Sequence, residues 1–137
     1  MKKHNEKYYL YDLKAYGDER GQLIALEANK NLPFDVKRVY YIYDTKKGVP
    51  RGYHAHKDLE QVLICVNGCC KIKLDDGLNS EIFELSSPDT ALYVGKNLWR
   101  EMFDFSQGCV LVVLASDYYN PDEYIRDYDE FLKEVAK

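Results

Sequence analysis

Short runs of β-branched and aromatic residues fill most of this chain. Gly, Pro, Asn or Asp stops each run after a few positions. The runs are YYLYDL (8–13), QLIALE (22–27), VKRVYYIY (36–43), EQVLICV (60–66), CCKIKL (69–74), EIFEL (81–85), TALYV (90–94) and CVLVVLA (109–115). Side chains of these types suit a pleated, half-buried surface, and the breaks carry turn chemistry. VKRVYYIY is the clearest strand, and CVLVVLA, the most apolar run, is expected at the centre of a sheet. Asn67-Gly68 reads as a two-residue hairpin turn joining the strands on either side. No helical period alternates with the strands, which argues against a Rossmann-type parallel sheet. A mainly β chain of this kind closes as a double-sheet jelly roll or a small barrel.

Only the end of the chain changes period. Asn120 is placed to cap a helix, with Pro121 at its first position and Asp122 and Glu123 in its first turn. Tyr124, Tyr128, Phe131 and Val135 then recur at helical spacing. This predicts a C-terminal helix over 121–135, whose apolar stripe must lie on the barrel or on a second subunit. Residues 1–7 are polar and expected to be a flexible tail. A length of 137 residues suits one domain, 1–137, around one core.

Charge narrows the partners. Nineteen Lys and Arg stand against 23 Asp and Glu, a formal charge of -4. Bulk electrostatics therefore do not draw the chain to nucleic acid, while a local basic pocket for a phosphorylated ligand stays open. MKKHNEKYY at the start lacks the apolar core of a signal peptide, and no apolar run is long enough to span a membrane. The expectation is a cytoplasmic protein with no membrane partner. Cys65, Cys69, Cys70 and Cys109 contain no CxxC pair and read as free thiols in a reducing compartment. Thirteen tyrosines, each with a flat face and a hydroxyl, suit polar clefts and subunit contacts. Together with sheet edges that need protection, they point to a homodimer.

His54 and His56 stand at i and i+2, so a strand presents both imidazoles on one face. Such a pair binds a metal, moves protons or does neither. No histidine follows position 56, and His4 lies in the tail, so Cys109 is the available substitute for a third metal ligand. Without a metal, two close imidazoles avoid being cationic together. One neutral and one poised ring form an acid–base set for a C–H bond next to a carbonyl. Arg20, Arg51 and Arg100 are placed to hold phosphate or sugar oxygens at the mouth of a pocket.

Gly48, His54, His56 and Gly68 resemble the first motif of the cupin superfamily, in which a glycine precedes His-x-His and an acidic residue precedes a second glycine. The spacing to Gly68 is met with Gln61, not Glu60, in the acidic position. An amide then stands where a metal cupin has a carboxylate.

Longer runs resemble the sugar 3,4-ketoisomerases that act on dTDP-4-keto-6-deoxyglucose and are related to WxcM-like cupin domains. They are GDERGQLIALEANKNLPF (17–34), VKRVYYIYDTKKGVPRGYHAHKDLEQVLICVNG (36–68), LYVGKNLWREM (92–102) and VVLASDYYNPDEYIRDYDEFL (112–132). The resemblance implies a cupin-type double-stranded β-helix that forms homodimers and needs no metal or other cofactor. It implies an isomerase that moves the keto group of a dTDP-linked 4-keto-6-deoxyhexose from C4 to C3. The product would go to an aminotransferase, towards a 3-amino-3,6-dideoxyhexose for a surface glycan. It implies His54 and His56 as the catalytic pair and Arg20 and Arg51 at the ligand; Arg100, Gln61 and Tyr43 complete the expected substrate-binding set. The expected division of labour has His56 as the C3 base and His54 as a proton shuttle.

The chain departs from the family at WREM, where WHEM is frequent. A guanidinium is a poor proton donor but holds an anionic oxygen well. The missing donor favours a gluco-configured over a galacto-configured 3-keto product. The alternatives are a metal-dependent cupin enzyme, a nucleotide-sugar 3,5-epimerase and a non-catalytic sugar-binding cupin.

Overall fold

In a strand, alternate side chains face opposite ways, so each of these strands can feed one shared core. The computed structural model describes residues 6–137. In chain order the strands are β1 (Tyr8–Asp12), β2 (Tyr16–Asp18), β3 (Gly21–Leu23), β4 (Arg38–Ile42), β5 (Arg51–His56), β6 (Gln61–Asn67), β7 (Cys70–Asp75), β8 (Ser80–Leu85), β9 (Thr90–Val94), β10 (Trp99–Phe103), β11 (Val110–Ala115) and β12 (Tyr124–Ile125). One α-helix among the described residues, α1 (Tyr128–Val135), follows.

Two five-stranded antiparallel sheets form, in the orders β1-β9-β6-β11-β4 and β12-β5-β10-β7-β8, and β2 and β3 make a separate hairpin. Leu63, Cys65, Leu111 and Val113 of the first sheet meet Ile72, Leu74, Leu85 and Met102 of the second in one buried core. This is the expected double-sheet jelly roll, with β11 flanked on both sides as its apolar run predicts.

Both outer faces are covered over part of their width. Leu13, Leu32 and Phe34 pack on Val62, Ile64, Ala91 and Leu114 behind the first sheet. Phe131 of α1 packs on Ala55, Trp99 and Ile125 behind the second. The outer face of β4 stays open, with Val39 and Tyr41 exposed, and so does the β2–β3 hairpin at Tyr16 and Leu23.

Four expectations are corrected. Asn67-Gly68 is not a hairpin turn: β6 pairs with β9 and β11, β7 pairs with β8 and β10, and the dipeptide leads from one sheet to the other. QLIALE contributes only Gln22 and Leu23 to a strand; Ile24 and Leu26 instead pack on the back of the first sheet. WREMF forms β10, a strand that the charged Arg100 and Glu101 hid. The helix begins at Tyr128, not at 121. Asn120 caps only a 3-10 turn, Pro121–Glu123, accepting from the Asp122 N–H at 3.0 Å. Tyr124 and Ile125 then pair with His56 and Ala55, and this edge pairing displaces helix there. Of the expected tail, residues 1–5, including His4, lie outside the described residues. The Lys7 carbonyl accepts from the Gly95 N–H at 2.8 Å. Among the described residues no helix is long and apolar enough to cross a membrane.

Phe131 is fully buried where α1 meets the back of β5 and β10. Phe131→Ala is expected to cost about 3–5 kcal/mol in urea unfolding. A loss under about 1 kcal/mol would mean that α1 does not share the core.

Candidate active site

The site begins with a break in strand register. Arg100 of β10 faces His54, but the next residue, Glu101, faces Gly52, so Tyr53 is an extra residue in β5. Gly52 and Tyr53 both take left-handed conformations, with φ of 92° and 52°. A side chain at Gly52 would also stand 3.3 Å from the Arg100 carbonyl oxygen. Bulges of this kind re-aim side chains near sites. Here the bulge brings the Gly52 carbonyl oxygen to 2.8 Å from His54 Nδ1.

That contact fixes the protons of the pair. A carbonyl only accepts, so His54 Nδ1 carries the hydrogen. In the neutral ring His54 Nε2 is then a bare acceptor. It lies 3.1 Å from His56 Nε2, which must donate. His56 Nδ1 is left without a proton, buried and without a hydrogen-bond partner among the described residues. Burial, followed by the nearby charge of Arg100, keeps both rings neutral: His54 is lowered to about 4 and His56 to about 2. The Tyr124 ring packs on both, with centroids 4.9 and 4.3 Å away.

Arg100 lies beneath the pair at 1% exposure. It donates to Gln61 Oε1 and, at 3.2 Å, to the Leu98 carbonyl oxygen. Burial lowers it to about 10, which leaves it cationic at neutral pH. With its oxygen engaged, the Gln61 amide turns its Nε2 to Tyr40 and donates to the phenolic oxygen at 3.0 Å. The hydroxyl hydrogen of Tyr40 is therefore free for another acceptor.

A cavity of about 480 Å³ opens between these groups. Arg38 and Tyr40 line it from β4, Arg51 and His54 from β5, and Tyr124 and Arg126 from the C-terminal segment. Arg38 lies over the rings of Tyr40 and Tyr119, at 5.3 and 5.8 Å, and Arg126 lies 4.4 Å over Tyr124. Three guanidinium groups thus gather at one cavity in a net acidic chain, a setting that favours an anionic ligand. A second depression, of about 530 Å³, carries Asp35, Asp58, Glu60, Asp117 and Glu123 and opposes one.

Of the residues singled out in the sequence, His54, His56, Arg51, Arg100 and Gln61 come together here. Arg20 does not: it sits at the exposed tip of the β2–β3 hairpin, bound to Asp18 through Nε at 3.0 Å and Nη2 at 2.7 Å. Tyr43 is exposed beside Tyr41, 5.9 Å between ring centroids, and does not line the cavity. Cys109 lies 3.6 Å from Cys65 and apart from the histidines. Among the described residues no third His, Cys, Asp or Glu joins His54 and His56 in a metal-ligand cluster. Arg38, Tyr40, Tyr124 and Arg126 were missed. The alternation in VKRVYYIY was the available signal for the first two, because it sets Arg38, Tyr40 and Ile42 on one face.

The chain is also similar to proteins of known activity. Residues 6–136 match the family described as FdtA: WxcM-like, C-terminal. The chain is 59% identical over 120 residues to a TDP-4-oxo-6-deoxy-alpha-D-glucose-3,4-oxoisomerase from Aneurinibacillus thermoaerophilus, covering 88% of this chain and 86% of that one. The TDP-quinovose 3,4-ketoisomerase WlaRB from Campylobacter jejuni is 56% identical, with a TM-score of 0.91, over 94% of this chain and 99% of that one. The 3,4-ketoisomerase QdtA from Thermoanaerobacterium thermosaccharolyticum, a His-to-Asn variant solved with TDP-4-keto-6-deoxyglucose, is 48% identical, with a TM-score of 0.92, over 94% of each chain.

The two neutral imidazoles carry a pH signature. Unfolded, they titrate near 6.5; folded, they refuse protons until far lower pH. Below about pH 6.5 the unfolded state binds more protons, so stability is full above that value and falls as pH drops towards about 4. Urea unfolding at about pH 7.5 and 4.5 should show a larger loss in the parent than in a variant carrying His54→Asn and His56→Asn. Equal losses would mean that folding does not hold the rings neutral.

Proposed function

This chain belongs to the FdtA, WxcM-like family, and on that premise we propose that it is a dTDP-4-keto-6-deoxyglucose 3,4-ketoisomerase. One observation carries the mechanism: the unprotonated Nε2 of His54 and the free hydroxyl hydrogen of Tyr40 come from different sheets to one arginine-lined cavity. The dTDP diphosphate suits Arg38, Arg51 and Arg126.

The C4 carbonyl acidifies the C3 hydrogen. Once the His56 N–H turns off its lone pair, His54 Nε2 takes that proton, and the electron pair forms the C3=C4 bond of an enediolate with its charge on O4. Tyr40 then protonates C4 while the O3 proton passes to O4, leaving a carbonyl at C3 and a hydroxyl at C4. The Tyr40 phenolate accepts from Gln61, which the Arg100 cation fixes and supports. The proton held by His54 returns to Tyr40 as product leaves. This differs from the division of labour expected from the sequence, in which His56 is the C3 base and His54 the proton shuttle. His56 is 1% exposed and points its N–H at His54, so it positions the base and fixes its tautomer.

The same geometry supports the gluco product. In the gluco configuration the C3 and C4 hydrogens lie on opposite faces of the ring, and a base and an acid supplied by the two different sheets are suited to address opposite faces. The 56% identity to an enzyme named for quinovose, a 6-deoxyglucose, agrees. The new C3 ketone is a substrate for amination towards a 3-amino-3,6-dideoxyhexose. Four free thiols and a nucleotide-linked substrate suit the cytoplasm.

The working unit is a homodimer. Val39 and Tyr41 on β4 and Tyr16 and Leu23 on the hairpin form exposed apolar surface that a second copy would cover. Arg20, remote from the cavity of its own chain, serves as a ligand residue only if its hairpin lies over the partner.

Proton NMR in heavy water with dTDP-4-keto-6-deoxyglucose separates the roles. His54→Asn should lose both C3 exchange and isomerisation. Tyr40→Phe should keep C3 exchange while turnover falls by about 10²–10⁴. C3 exchange at the parent rate in the His54 variant would remove it as the base. A product still ketonic at C4 would instead identify an epimerase.

Sedimentation at micromolar protein should give a dimer that Tyr41→Asp weakens towards monomer. A monomeric parent would refute the dimer.

A further inference from the structure

The core holds a second cluster of reactive groups that the isomerisation does not use. Cys65 of β6, Cys70 of β7 and Cys109, just before β11, are at most 1% exposed. Their sulfur atoms all lie within 4.8 Å of one another, with 3.6 Å between Cys65 and Cys109. The cluster is two strands away from Ile42, a cavity-lining residue: Ile42 pairs with Leu111, and Leu111 pairs with Cys65.

The fold builds this convergence. The crossing from β6 to β7 and the turn before β11 are latched together by three hydrogen bonds. Cys69 N–H donates to Ser106 Oγ at 2.8 Å, Ser106 N–H to the Cys69 carbonyl at 2.9 Å, and Asn67 Nδ2 to the Gly108 carbonyl at 2.7 Å. The latch fixes the ends of strands from both sheets and aims three thiols at one point. A three-coordinate metal with metal–sulfur bonds of about 2.3 Å spaces its sulfurs about 4 Å apart, which this arrangement accommodates.

We propose that Cys65, Cys70 and Cys109 form a buried three-sulfur site for a soft, thiophilic metal ion, a cross-link between the two sheets that is separate from the histidine pair. The ligand set defines the class of ion. Leu63, Ile72, Leu85 and Leu111 belong to the same apolar cluster, and among the described residues no imidazole or carboxylate joins the three sulfurs. Oxygen-seeking ions such as magnesium or calcium find no ligands. Monovalent copper accepts thiolate donors at low coordination number, whereas zinc prefers a fourth ligand, so copper fits better. On binding, each sulfur–metal bond replaces an S–H bond, the protons leave to solvent, and no electron is transferred.

The test uses the full chain under anaerobic, reducing conditions, with Cu(I) and Zn(II) each titrated against a competing chelator. One ion per chain, three sulfurs around it by X-ray absorption, and a raised melting temperature are expected for Cu(I) or Zn(II). Cys69, next in sequence to Cys70 but outside the cluster, supplies the control. Cys69→Ser should bind as the parent does, while Cys65→Ala and Cys109→Ala should lose at least about tenfold in affinity. Binding of neither ion, fewer than three sulfurs around it, or equal affinity in the Cys65→Ala chain would overturn the site. If the cysteine variants do not fold, the sulfur count in the parent decides alone.

Discussion

A guanidinium buried to 1% exposure, with no carboxylate partner among the described residues, is the constraint around which this molecule is arranged. Removing a cation from water costs several kcal/mol, and an amide and one carbonyl return only part of that. In exchange, Arg100 acts on four other residues. It orients the Gln61 amide, which in turn presents its nitrogen to Tyr40. Its charge adds to burial in keeping His54 and His56 neutral. A lysine would carry the charge but could not reach Gln61 and Leu98 with a planar fork. A neutral residue would release the amide and leave burial as the main hold on the imidazoles.

The remaining imperfections gather at the same place. Among the described residues the buried side-chain nitrogens without a hydrogen-bond partner are Arg38 Nε, His56 Nδ1 and Arg100 Nε. All belong to the cavity or to the layer directly beneath it. The left-handed Tyr53 sits one residue before His54. Elsewhere the left-handed non-glycine residues are Asn or Asp, which tolerate that conformation, β11 shifts register against β6 between Val110 and Leu111, and the core is apolar. Unsatisfied groups and backbone strain that cluster in this way belong to a site held ready for a ligand rather than to weak packing.

What could be read from the chain follows the range of each signal. Alternation and turn chemistry are local, so most strands were legible. Which sheet a strand joins is not local, and so Asn67-Gly68, an ordinary hairpin pair by composition, misled. Charge in a strand reads as solvent exposure, which hid β10 and the inward Arg38 and Arg100. Parity explains Tyr43: Tyr40 faces inward, so Tyr41 and Tyr43 face out. Tyr124 fits a helical stripe by spacing, yet a free strand edge on β5 offered it backbone partners that a helix start could not match. The histidine pair was legible because i and i+2 share a face in any strand; its proton order was not, because it depends on the bulge that turns the Gly52 carbonyl inward.

The electrostatics of the site tie ligand binding to base strength. An imidazole at about 4 is a weak base for a C–H bond at neutral pH. Part of that weakness comes from charges that the ligand itself would offset. Arg126 depresses His54, and Arg38 and Arg126 both depress His56. On the proposed reading, a nucleoside diphosphate among these arginines would bring opposing negative charge, and the enediolate would add more beside His54 as it forms. Both would raise the proton affinity of Nε2 with the substrate in place. Arginines that held the nucleotide would thereby also set the chemistry at the sugar.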